Sequence, residues 1–275
     1  MTLLESIVLG IVQGITEFLP ISSSGHLVIF QRLFGLEEPQ LLFDIAVHGG
    51  TLIAVILVYW SDIRSILQDL VSYLTDRLKG ESFPEFLQRS HCRLALWIAI
   101  GTIPIGIVGF TLRRLIEPLF ASSLAVGLTL MVTGTVLWLT VYSEKGNKTI
   151  REMGLLDAIW VGVAQSVALI PGISRSGVTV SASLFRGLDR ELSSRFSFLL
   201  MIPATVGALV APLISRDWQA SFVSLDLLLG TLASFGTGYV SLRLLIGVIR
   251  RGRFYRFAYY CWGVGGVTLI LSFLT

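Results

Sequence analysis

The sequence predicts an all-α integral membrane protein with six transmembrane helices and two re-entrant helical hairpins, arranged as an inverted-topology repeat. Three observations predict this fold class. First, 53% of the 275 residues are hydrophobic and 14% are charged, whereas a soluble domain is about a quarter charged; the mean hydropathy is +0.78. Second, long apolar stretches recur along the whole chain. Third, two of these stretches are interrupted by polar motifs that match each other.

Six apolar stretches are long enough, or nearly so, to cross the hydrocarbon core of a bilayer, which requires about 20 helical residues. We expect each of them to form one transmembrane helix. In chain order they are residues 45–60, 94–110, 120–142, 196–214, 222–249 and 257–274. The charged segment between the first two stretches is expected to be a loop, in which His91 is solvated.

Two further apolar segments, residues 3–30 and 155–185, are poor candidates for spanning helices because their middles contain helix breakers. Irregular backbone at membrane depth is tolerated only where it is buried in protein or lines a wet cavity. We therefore predict that both segments are re-entrant hairpins. Their breaks are Pro20 with Ser22-Ser23-Ser24-Gly25, and Pro171-Gly172 with Ser174-Arg175-Ser176-Gly177.

The two broken segments align without a gap at an offset of 152 residues. Each half of the chain then holds one broken segment and three full crossings, so the second half, about residues 155–275, is inverted relative to the first, about residues 1–142. Inverted repeats with discontinuous helices place their binding site where the broken pieces meet. The matching pairs are Gly10 and Gly162, Gln13 and Gln165, Ser22 and Ser174, Ser24 and Ser176, and Gly25 and Gly177.

The basic residues predict the orientation, because cytoplasmic loops carry an excess of Lys and Arg. Fifteen such residues lie on one side of the predicted membrane and four on the other. The side with fifteen is therefore predicted to be cytoplasmic, and the first hairpin is predicted to enter the membrane from the outer side. The cytoplasmic set is Arg64, Arg77, Lys79, Arg89, Arg93, Lys145, Lys148, Arg151, Arg186, Arg190, Arg195, Arg250, Arg251, Arg253 and Arg256, and the outer set is Arg32, Arg113, Arg114 and Arg216.

Composition also excludes several classes of function. Cys92 and Cys261 are far apart and show no metal-binding spacing, so neither a disulfide framework nor a zinc site is expected. The basic residues are scattered, which argues against a nucleic-acid partner. No Walker-type loop and no GxSxG elbow is present, which disfavours nucleotide hydrolysis and α/β-hydrolase chemistry. The glycine-rich last spans would suit a homodimer, but such faces also pack within a monomer.

Ionisable side chains inside a bilayer are costly and usually functional. The deep candidates are Glu17, His26, His48 and Arg175. Gln13 and Glu17 are spaced i and i+4, which puts both on one face of the first half-helix. Structural explanations remain open: Glu17 and Arg175 as an ion pair between the halves, and either histidine as a satisfied packing residue.

The serine-rich motifs predict an anion-binding site. Hydroxyl groups at Ser22 and Ser24, and at Ser174 and Ser176, suit helix N-caps, and the free amides of a helix N-terminus attract phosphate. Arg175 can bind phosphate oxygens with two parallel hydrogen bonds. Ser23 is free of a capping duty if its neighbours cap. Thr179 is a further candidate for substrate binding, although its hydroxyl could simply bond the carbonyl one turn back.

A hydroxyl, an imidazole, a carboxylate and an arginine together meet the needs of phosphoryl hydrolysis. At these residues the chain resembles the undecaprenyl-diphosphate phosphatase family, integral membrane enzymes associated with bacitracin resistance. The resemblance rests on two long motifs and extends over essentially the whole chain. The motifs are Gly10-Ile-Val-Gln-Gly-Ile-Thr-Glu-Phe-Leu-Pro-Ile-Ser-Ser-Ser-Gly-His26 and Pro171-Gly-Ile-Ser-Arg-Ser-Gly-Val-Thr179.

The resemblance implies hydrolysis of a C55 polyprenyl diphosphate to the monophosphate carrier lipid of cell-wall synthesis, at a site that faces the outer side of the bacterial inner membrane. It also implies a divalent cation, Mg²⁺ or Ca²⁺, with Glu17 as a ligand. One position departs from the family pattern, because Gln13 stands where the acidic motif has its first carboxylate. The family's active-site positions are occupied here by Glu17, Ser23, His26, Ser174, Arg175 and Thr179.

The residues alone leave the mechanism open, with Ser23, His26 or water as the nucleophile and Gln13 and His48 as further substrate contacts. A different class of function, a transporter or flippase of an anionic polyprenyl phosphate lipid, also suits an inverted repeat with paired hairpins. A transporter does not need a Ser-His-Glu cluster, so hydrolysis is the favoured hypothesis. A non-catalytic scaffold would leave the duplicated polar residues unexplained.

Overall fold

The computed structural model describes residues 1–36, 40–78, 83–143, 146–214 and 224–274. Within these ranges the chain is helical apart from short connections and one isolated bridge between Lys148 and Leu188. The helices in chain order are α1 (Leu3–Phe18), α2 (Ser23–Leu33), α3 (Leu41–Val58), α4 (Trp60–Arg77), α5 (Phe83–Gln88), α6 (Ser90–Thr111), α7 (Arg113–Ile116), α8 (Ser123–Leu139), α9 (Leu155–Val167), α10 (Arg175–Phe185), α11 (Arg190–Ile214), α12 (Leu225–Arg250) and α13 (Phe257–Leu274).

Each of the six predicted apolar stretches lies largely within a helix. Four helical segments of the described residues are long and apolar enough to cross a membrane, and the bent pair formed by α3 and α4 would make a fifth. The all-α, membrane-compatible fold class is therefore confirmed at this level. The start of the fifth predicted stretch, at residue 222, lies outside the described residues. The four segments are Ser90–Thr111, Ser123–Tyr142, Arg190–Ala211 and Leu225–Arg250.

The prediction of a loop after the first stretch was wrong. Helix α4 continues from α3 after a bend of 71°, and α5 follows it. Asp69 on α4 lies 3.0 Å from Nδ1 of His91, which belongs to the first turn of α6 rather than to a solvated loop. The apolar residues of α4 are spaced as on one face of a helix, a pattern that the prediction overlooked because polar residues interrupt the apolar run. They are Ile63, Ile66, Leu67, Leu70, Val71 and Leu74. No residue of α4 is buried.

Both predicted breaks interrupt helices. Helix α1 ends at Phe18, and α2 begins at Ser23 with Ser22 as its N-cap. Helix α9 ends at Val167, and α10 begins at Arg175 with Ser174 as its N-cap. The starts of α2 and α10 are 152 residues apart, the same offset that aligns the two motifs.

The two broken segments pack in the same manner against different helices. A Cβ atom on Gly10 of α1 would lie 2.2 Å from the carbonyl oxygen of Gly230 on α12. A Cβ atom on Gly162 of α9 would lie 2.3 Å from the carbonyl oxygen of Gly101 on α6. Both contacts bring helix backbones together and require glycine. Glycines on α8 and α13 likewise join those two helices, with Gly127 against Leu269.

Charged residues from distant segments pair with one another at the end of the molecule that the sequence assigns to the cytoplasm. Asp157, at the start of α9, accepts from Arg186 at 2.6 Å and from Lys148 at 3.5 Å. The other pairs involve α4, α11, α12 and the N-cap residue of α6. They are Arg89 with Asp76, Arg195 with Asp62, and Arg250 with Glu191. Of the basic residues used for orientation, Lys79, Lys145 and Arg216 lie outside the described residues.

Candidate active site

Glu17 is the centre of a polar cluster where the two broken segments meet. Its side chain is 4% exposed. Oε2 accepts hydrogen bonds from Nε2 of Gln13 at 3.0 Å and from Oγ of Ser23 at 2.6 Å. His48 Nε2 lies 3.8 Å from Oε2, and Arg175 Nη2 lies 3.8 Å from Oε1. These donors and the two basic side chains suit an ionised carboxylate.

The local sequence explains how these groups converge. Gln13 and Glu17 lie one turn apart on α1, which ends just before Pro20. The chain then reverses, so that Ser23 at the start of α2 faces back toward Glu17. Pro20 also contacts the start of α10, because a Cβ atom on Gly177 would lie 3.3 Å from Cβ of Pro20. The first break and the second break are therefore in direct contact.

Arg175 is the cation of the cluster. It occupies the first position of α10, and Nη1 donates to Oγ1 of Thr205 on α11 at 2.8 Å. The side chain is 28% exposed. A guanidinium group has five N–H donors, so the contacts with Thr205 and Glu17 leave donors available for an anion.

The serine-rich motifs form similar arrangements at both breaks. Ser22 Oγ lies 3.4 Å from Ser24 Oγ, and Ser174 Oγ lies 3.2 Å from Ser176 Oγ. Ser22 and Ser174 each cap their half-helix through the amide three residues on, at 3.5 Å and 3.2 Å. The remaining first-turn amides of α2 and α10 have no partner within their own helices, which is the usual basis of anion binding at a helix N-terminus.

Thr179 and His26 are predicted site residues whose described hydrogen bonds are made with residues other than Glu17. Thr179 Oγ1 donates to the carbonyl of Arg175 at 2.8 Å, one turn back in α10. The role of Thr179 in substrate binding stays a prediction. His26 Nδ1 lies 2.8 Å from the carbonyl oxygen of Ser22, and Nε2 lies 2.7 Å from the hydroxyl of Tyr260. Among the described contacts, His26 makes none with Ser23.

The second break is held by hydroxyl groups of α8. Thr129 Oγ1 donates to the carbonyl of Pro171 at 2.6 Å, and Thr133 Oγ1 donates to the carbonyl of Gly172 at 2.9 Å. The amide of Ser174 donates to Thr133 Oγ1 at 3.3 Å. These contacts satisfy backbone groups that the broken helix leaves without partners, as a buried break requires.

Two glutamine side chains at equivalent positions of the halves differ in their partners. Gln13 Nε2 bonds Glu17, whereas Gln13 Oε1 is buried without a partner. Gln165, which is fully buried, has no partner for either amide atom. Leu169 occupies the position equivalent to Glu17, at the offset of 152 residues. Gln13 Oε1 is thus an acceptor without a partner, and a candidate cation ligand, beside the carboxylate.

The described residues contain no group of three or more His, Cys, Asp or Glu side chains that could hold a metal ion by themselves. The cluster offers one carboxylate, Glu17, and one free amide oxygen, that of Gln13. Mg²⁺ is commonly bound by one or two carboxylates together with substrate phosphates. The residues therefore fit a hard cation that takes most of its ligands from a diphosphate and water.

An open cleft of about 810 Å³ lies elsewhere, between the C-terminal ends of α8 and α10. Arg186, Tyr142 and Asn147 are among its lining residues, and none of the predicted site residues is. The cleft is therefore separate from the cluster around Glu17, which has the ionisable groups that phosphoryl chemistry requires.

Sequence reasoning missed the neighbours that come from distant helices. Tyr260, Thr205, Thr129 and Thr133 each bond a site residue or a break. In the sequence they are single hydroxyl residues within apolar helices, where most hydroxyls bond their own helix. The pattern held no signal that distinguished these four from the others.

Known proteins resemble this chain over nearly its whole length. The family model described as "Bacitracin resistance protein BacA" matches residues 6–267. A relative named undecaprenyl-diphosphatase from Desulforapulum autotrophicum is 44% identical over 275 residues and covers 100% of both chains. A protein of the same name from Desulfatibacillum aliphaticivorans is 42% identical over 98% of this chain and 99% of its own. Another, from Alkaliphilus metalliredigens, is 42% identical over 100% of both chains. The resemblance predicted from the two motifs is confirmed, and the chain belongs to the BacA family of bacitracin resistance proteins.

Proposed function

We infer that this protein is a membrane phosphatase that hydrolyses undecaprenyl diphosphate to undecaprenyl phosphate and inorganic phosphate. Its relatives over the full length are named undecaprenyl-diphosphatase. Hydrolysis returns the carrier lipid to cell-wall synthesis, and a role in bacitracin resistance agrees with the family name. The observation that carries the inference is the contact of one carboxylate, Glu17, with a serine hydroxyl and an arginine from the opposite half.

The geometry favours Ser23 as the nucleophile and Glu17 as its base. Ser23 Oγ already donates to Glu17 Oε2 at 2.6 Å, which is within the reach required for proton abstraction. In the first step, Ser23 Oγ bonds the terminal phosphorus, its proton passes to Glu17, and the bond from that phosphorus to the bridging oxygen breaks. Undecaprenyl phosphate leaves with both electrons of the broken bond.

The second step hydrolyses the phosphoserine. A water oxygen bonds the phosphorus, the bond between phosphorus and Ser23 Oγ breaks, Glu17 returns its proton to Ser23, and both water protons leave on the oxygens of the released phosphate. One water molecule is consumed overall, and inorganic phosphate is released. Arg175 and the first-turn amides of α2 and α10 stabilise the negative charge that develops on the phosphoryl oxygens. If water attacks directly instead, Ser23 becomes a positioning donor.

The remaining site residues are assigned to substrate binding. Ser22, Ser24, Ser174 and Ser176 shape the two half-helix N-termini, and His48 orients Glu17 or reaches the diphosphate. A divalent cation, Mg²⁺ or Ca²⁺, would be held by Glu17 and Gln13 together with diphosphate oxygens. When bound, such a cation neutralises phosphate charge as a Lewis acid. Glu17 would then serve both the cation and Ser23.

We also propose the finer topology: six transmembrane helices and two re-entrant hairpins, in inverted repeats of about residues 1–142 and 155–275. The equivalent glycine contacts of α1 with α12 and of α9 with α6 support it. The excess of Lys and Arg in the connections at one end supports an inner-membrane orientation with that end in the cytoplasm and the site open toward the outer side. A homodimer remains a proposal, since the glycines of α13 already pack against α8 within the chain.

The test of function is phosphate release from a long-chain polyprenyl diphosphate by purified protein in detergent. We expect Mg²⁺-dependent release by the wild type and a loss of about 10³-fold in Arg175→Ala, because the guanidinium group stabilises the transferring phosphoryl group. Arg243→Ala is the matched control, since Arg243 also lies in an apolar helix. Its guanidinium group donates to the hydroxyl of Tyr239 at 3.1 Å and makes no contact with the cluster among the described residues. No release by well-folded wild type would instead support lipid transport, the other proposed class.

A further inference from the structure

The last helix of the chain contacts the first break through two successive side chains. The hydroxyl of Tyr260 lies 2.7 Å from Nε2 of His26, and the two rings are stacked with centroids 5.8 Å apart. Cys261, which is buried, donates to the carbonyl of Pro20 at 3.2 Å. The start of α13 therefore holds both sides of the break that carries Ser23.

The contacts of His26 determine the roles of its two nitrogens. The carbonyl oxygen of Ser22 can only accept, so Nδ1 of His26 carries the proton and donates to it. A neutral ring then has a lone pair at Nε2, which accepts from the hydroxyl of Tyr260. Both nitrogens are satisfied, and the ring is fixed in one tautomer and one orientation.

The carbonyl that His26 binds belongs to an unusual residue. Ser22 has φ 71°, and it is the one non-glycine residue of the described ranges with a left-handed φ. Its carbonyl accepts from the His26 ring and also from the His26 amide at 3.3 Å. Such a conformation is costly for serine and persists only where its surroundings hold it. The ring of His26 is one of those restraints.

Ser22 directly precedes Ser23, so the conformation of Ser22 decides where the Ser23 hydroxyl points. In this conformation Ser23 Oγ lies 2.6 Å from Glu17. We propose that Tyr260 is a positioning residue for phosphate hydrolysis: its hydroxyl holds the His26 ring in place against the Ser22 carbonyl, and this contact holds the Ser22 turn that aims Ser23 at its base. This inference rests on the proposed function and extends it to a helix distant in sequence.

The second half supports this reading by contrast. Val178 occupies the position equivalent to His26, and Ser174 has an ordinary φ of −79°. A break without a nucleophile thus lacks both the histidine and the strained turn. Among the described residues, this series of hydrogen bonds, from Tyr260 through His26 to Ser22, occurs only at the break that contains Ser23.

The test compares Tyr260→Phe with Tyr259→Phe in the full-length protein in detergent. Tyr259 is the neighbouring tyrosine; both side chains are exposed, but the ring of Tyr259 contacts Trp262 rather than His26. We expect Tyr260→Phe to lower kcat roughly tenfold with KM changed less than about twofold, because a hydrogen bond that acts on the reactive geometry is lost rather than a substrate contact. Tyr259→Phe should match the wild type, and both variants should keep its thermal unfolding temperature.

A second readout does not depend on activity. The chain has three histidines, so ¹⁵N-histidine labelling gives three pairs of ring signals, one Nδ1 and one Nε2 from each imidazole, and the pair that His26→Gln removes belongs to His26. In Tyr260→Phe we expect the Nε2 signal of His26 to shift, while His48 and His91 stay in place. In an active enzyme, an unchanged kcat for Tyr260→Phe overturns the proposal. If the wild type releases no phosphate, the proposed function fails by itself, and an unshifted His26 signal then overturns this inference separately.

Discussion

The two helix breaks begin from matching motifs but are held in different ways. The first break contains the left-handed Ser22 and is restrained by side-chain contacts from His26 and Cys261. The second break has ordinary backbone angles at Ser174, and hydroxyls of Thr129 and Thr133 bond its carbonyls directly. The first break therefore stores strain next to Ser23, whereas the second is a relaxed and rigid support for Arg175.

The difference between the breaks follows from substitutions at equivalent positions. Across the offset of 152 residues, Ser23 corresponds to Arg175, Glu17 to Leu169 and His26 to Val178. The first half thus supplies the hydroxyl, the carboxylate and the imidazole, and the second half supplies the positive charge. Neither half by itself has the full set of groups that phosphoryl hydrolysis requires.

The largest expected effect is at the carboxylate that joins the two breaks. Glu17→Gln keeps the shape of the side chain but removes the base and the negative charge that faces Arg175. We expect phosphate release to fall by about 10³-fold, because general-base catalysis contributes roughly 10²–10⁴-fold. The measurement is kcat under saturating polyprenyl diphosphate and Mg²⁺.

The matched control for that variant is Glu191→Gln. Glu191 is an exposed carboxylate that pairs with Arg250 at 3.5 Å, at the opposite end of the molecule from the cluster. Its activity should equal that of the wild type. Activity within a few fold of the wild type for Glu17→Gln would show that the first break does not carry the base.

Much of the fold was readable from the sequence because the bilayer imposes simple rules. Apolar stretches of sufficient length, with helix breakers between them, indicate helices and breaks, and α2 and α10 begin where the serine motifs predicted. Helix α4 was missed because its apolar residues, from Ile63 to Leu74, are interrupted by polar residues and form a helical stripe rather than a continuous apolar run. Its ion pair with a later segment, Asp62 with Arg195, leaves no local pattern.

The site was readable to the extent that its residues lie in the two motifs. The convergence of Gln13, Glu17, Ser23 and Arg175 follows from their placement at the breaks. The contact of His26 with Tyr260, rather than with Ser23, was not predictable, because it depends on how α13 packs 234 residues later in the chain. Tertiary packing alone selects one tyrosine among the hydroxyl residues of the last helix.

A moderate effect is expected at the relaxed break. Thr133→Val removes the hydroxyl that bonds Gly172 and Ser174, and it leaves a buried carbonyl and a buried amide without partners. We expect a loss of about 1–3 kcal/mol in unfolding free energy. We also expect a higher KM, because the backbone that places Arg175 for phosphate binding is no longer held by Thr133. Thermal unfolding and steady-state kinetics measure the two effects.

Thr135→Val serves as the comparison for Thr133→Val. Thr135 is exposed on the same helix; its hydroxyl donates to the carbonyl of Met131 one turn back and accepts from Nε1 of Trp262 at 3.4 Å, but it makes no described contact with the second break. This variant should change stability by less than about 0.5 kcal/mol. Equal effects of the two valine variants would contradict the view that α8 holds the second break through Thr133.

The smallest expected effect is on the Mg²⁺ dependence of activity, and it should differ between the two equivalent glutamines, Gln13 and Gln165. Gln13→Glu places a second carboxylate beside Glu17, where Gln13 now donates at 3.0 Å. Like charges repel unless a cation lies between them, so we expect lower activity without Mg²⁺ and a half-saturating Mg²⁺ concentration about tenfold lower.

The control for this variant is Gln165→Glu, which places a carboxylate at the equivalent position of the second half, where Leu169 offers no second ligand. It should lower stability and leave the Mg²⁺ dependence unchanged; a similar shift in both variants would mean that the cation does not bind between Gln13 and Glu17.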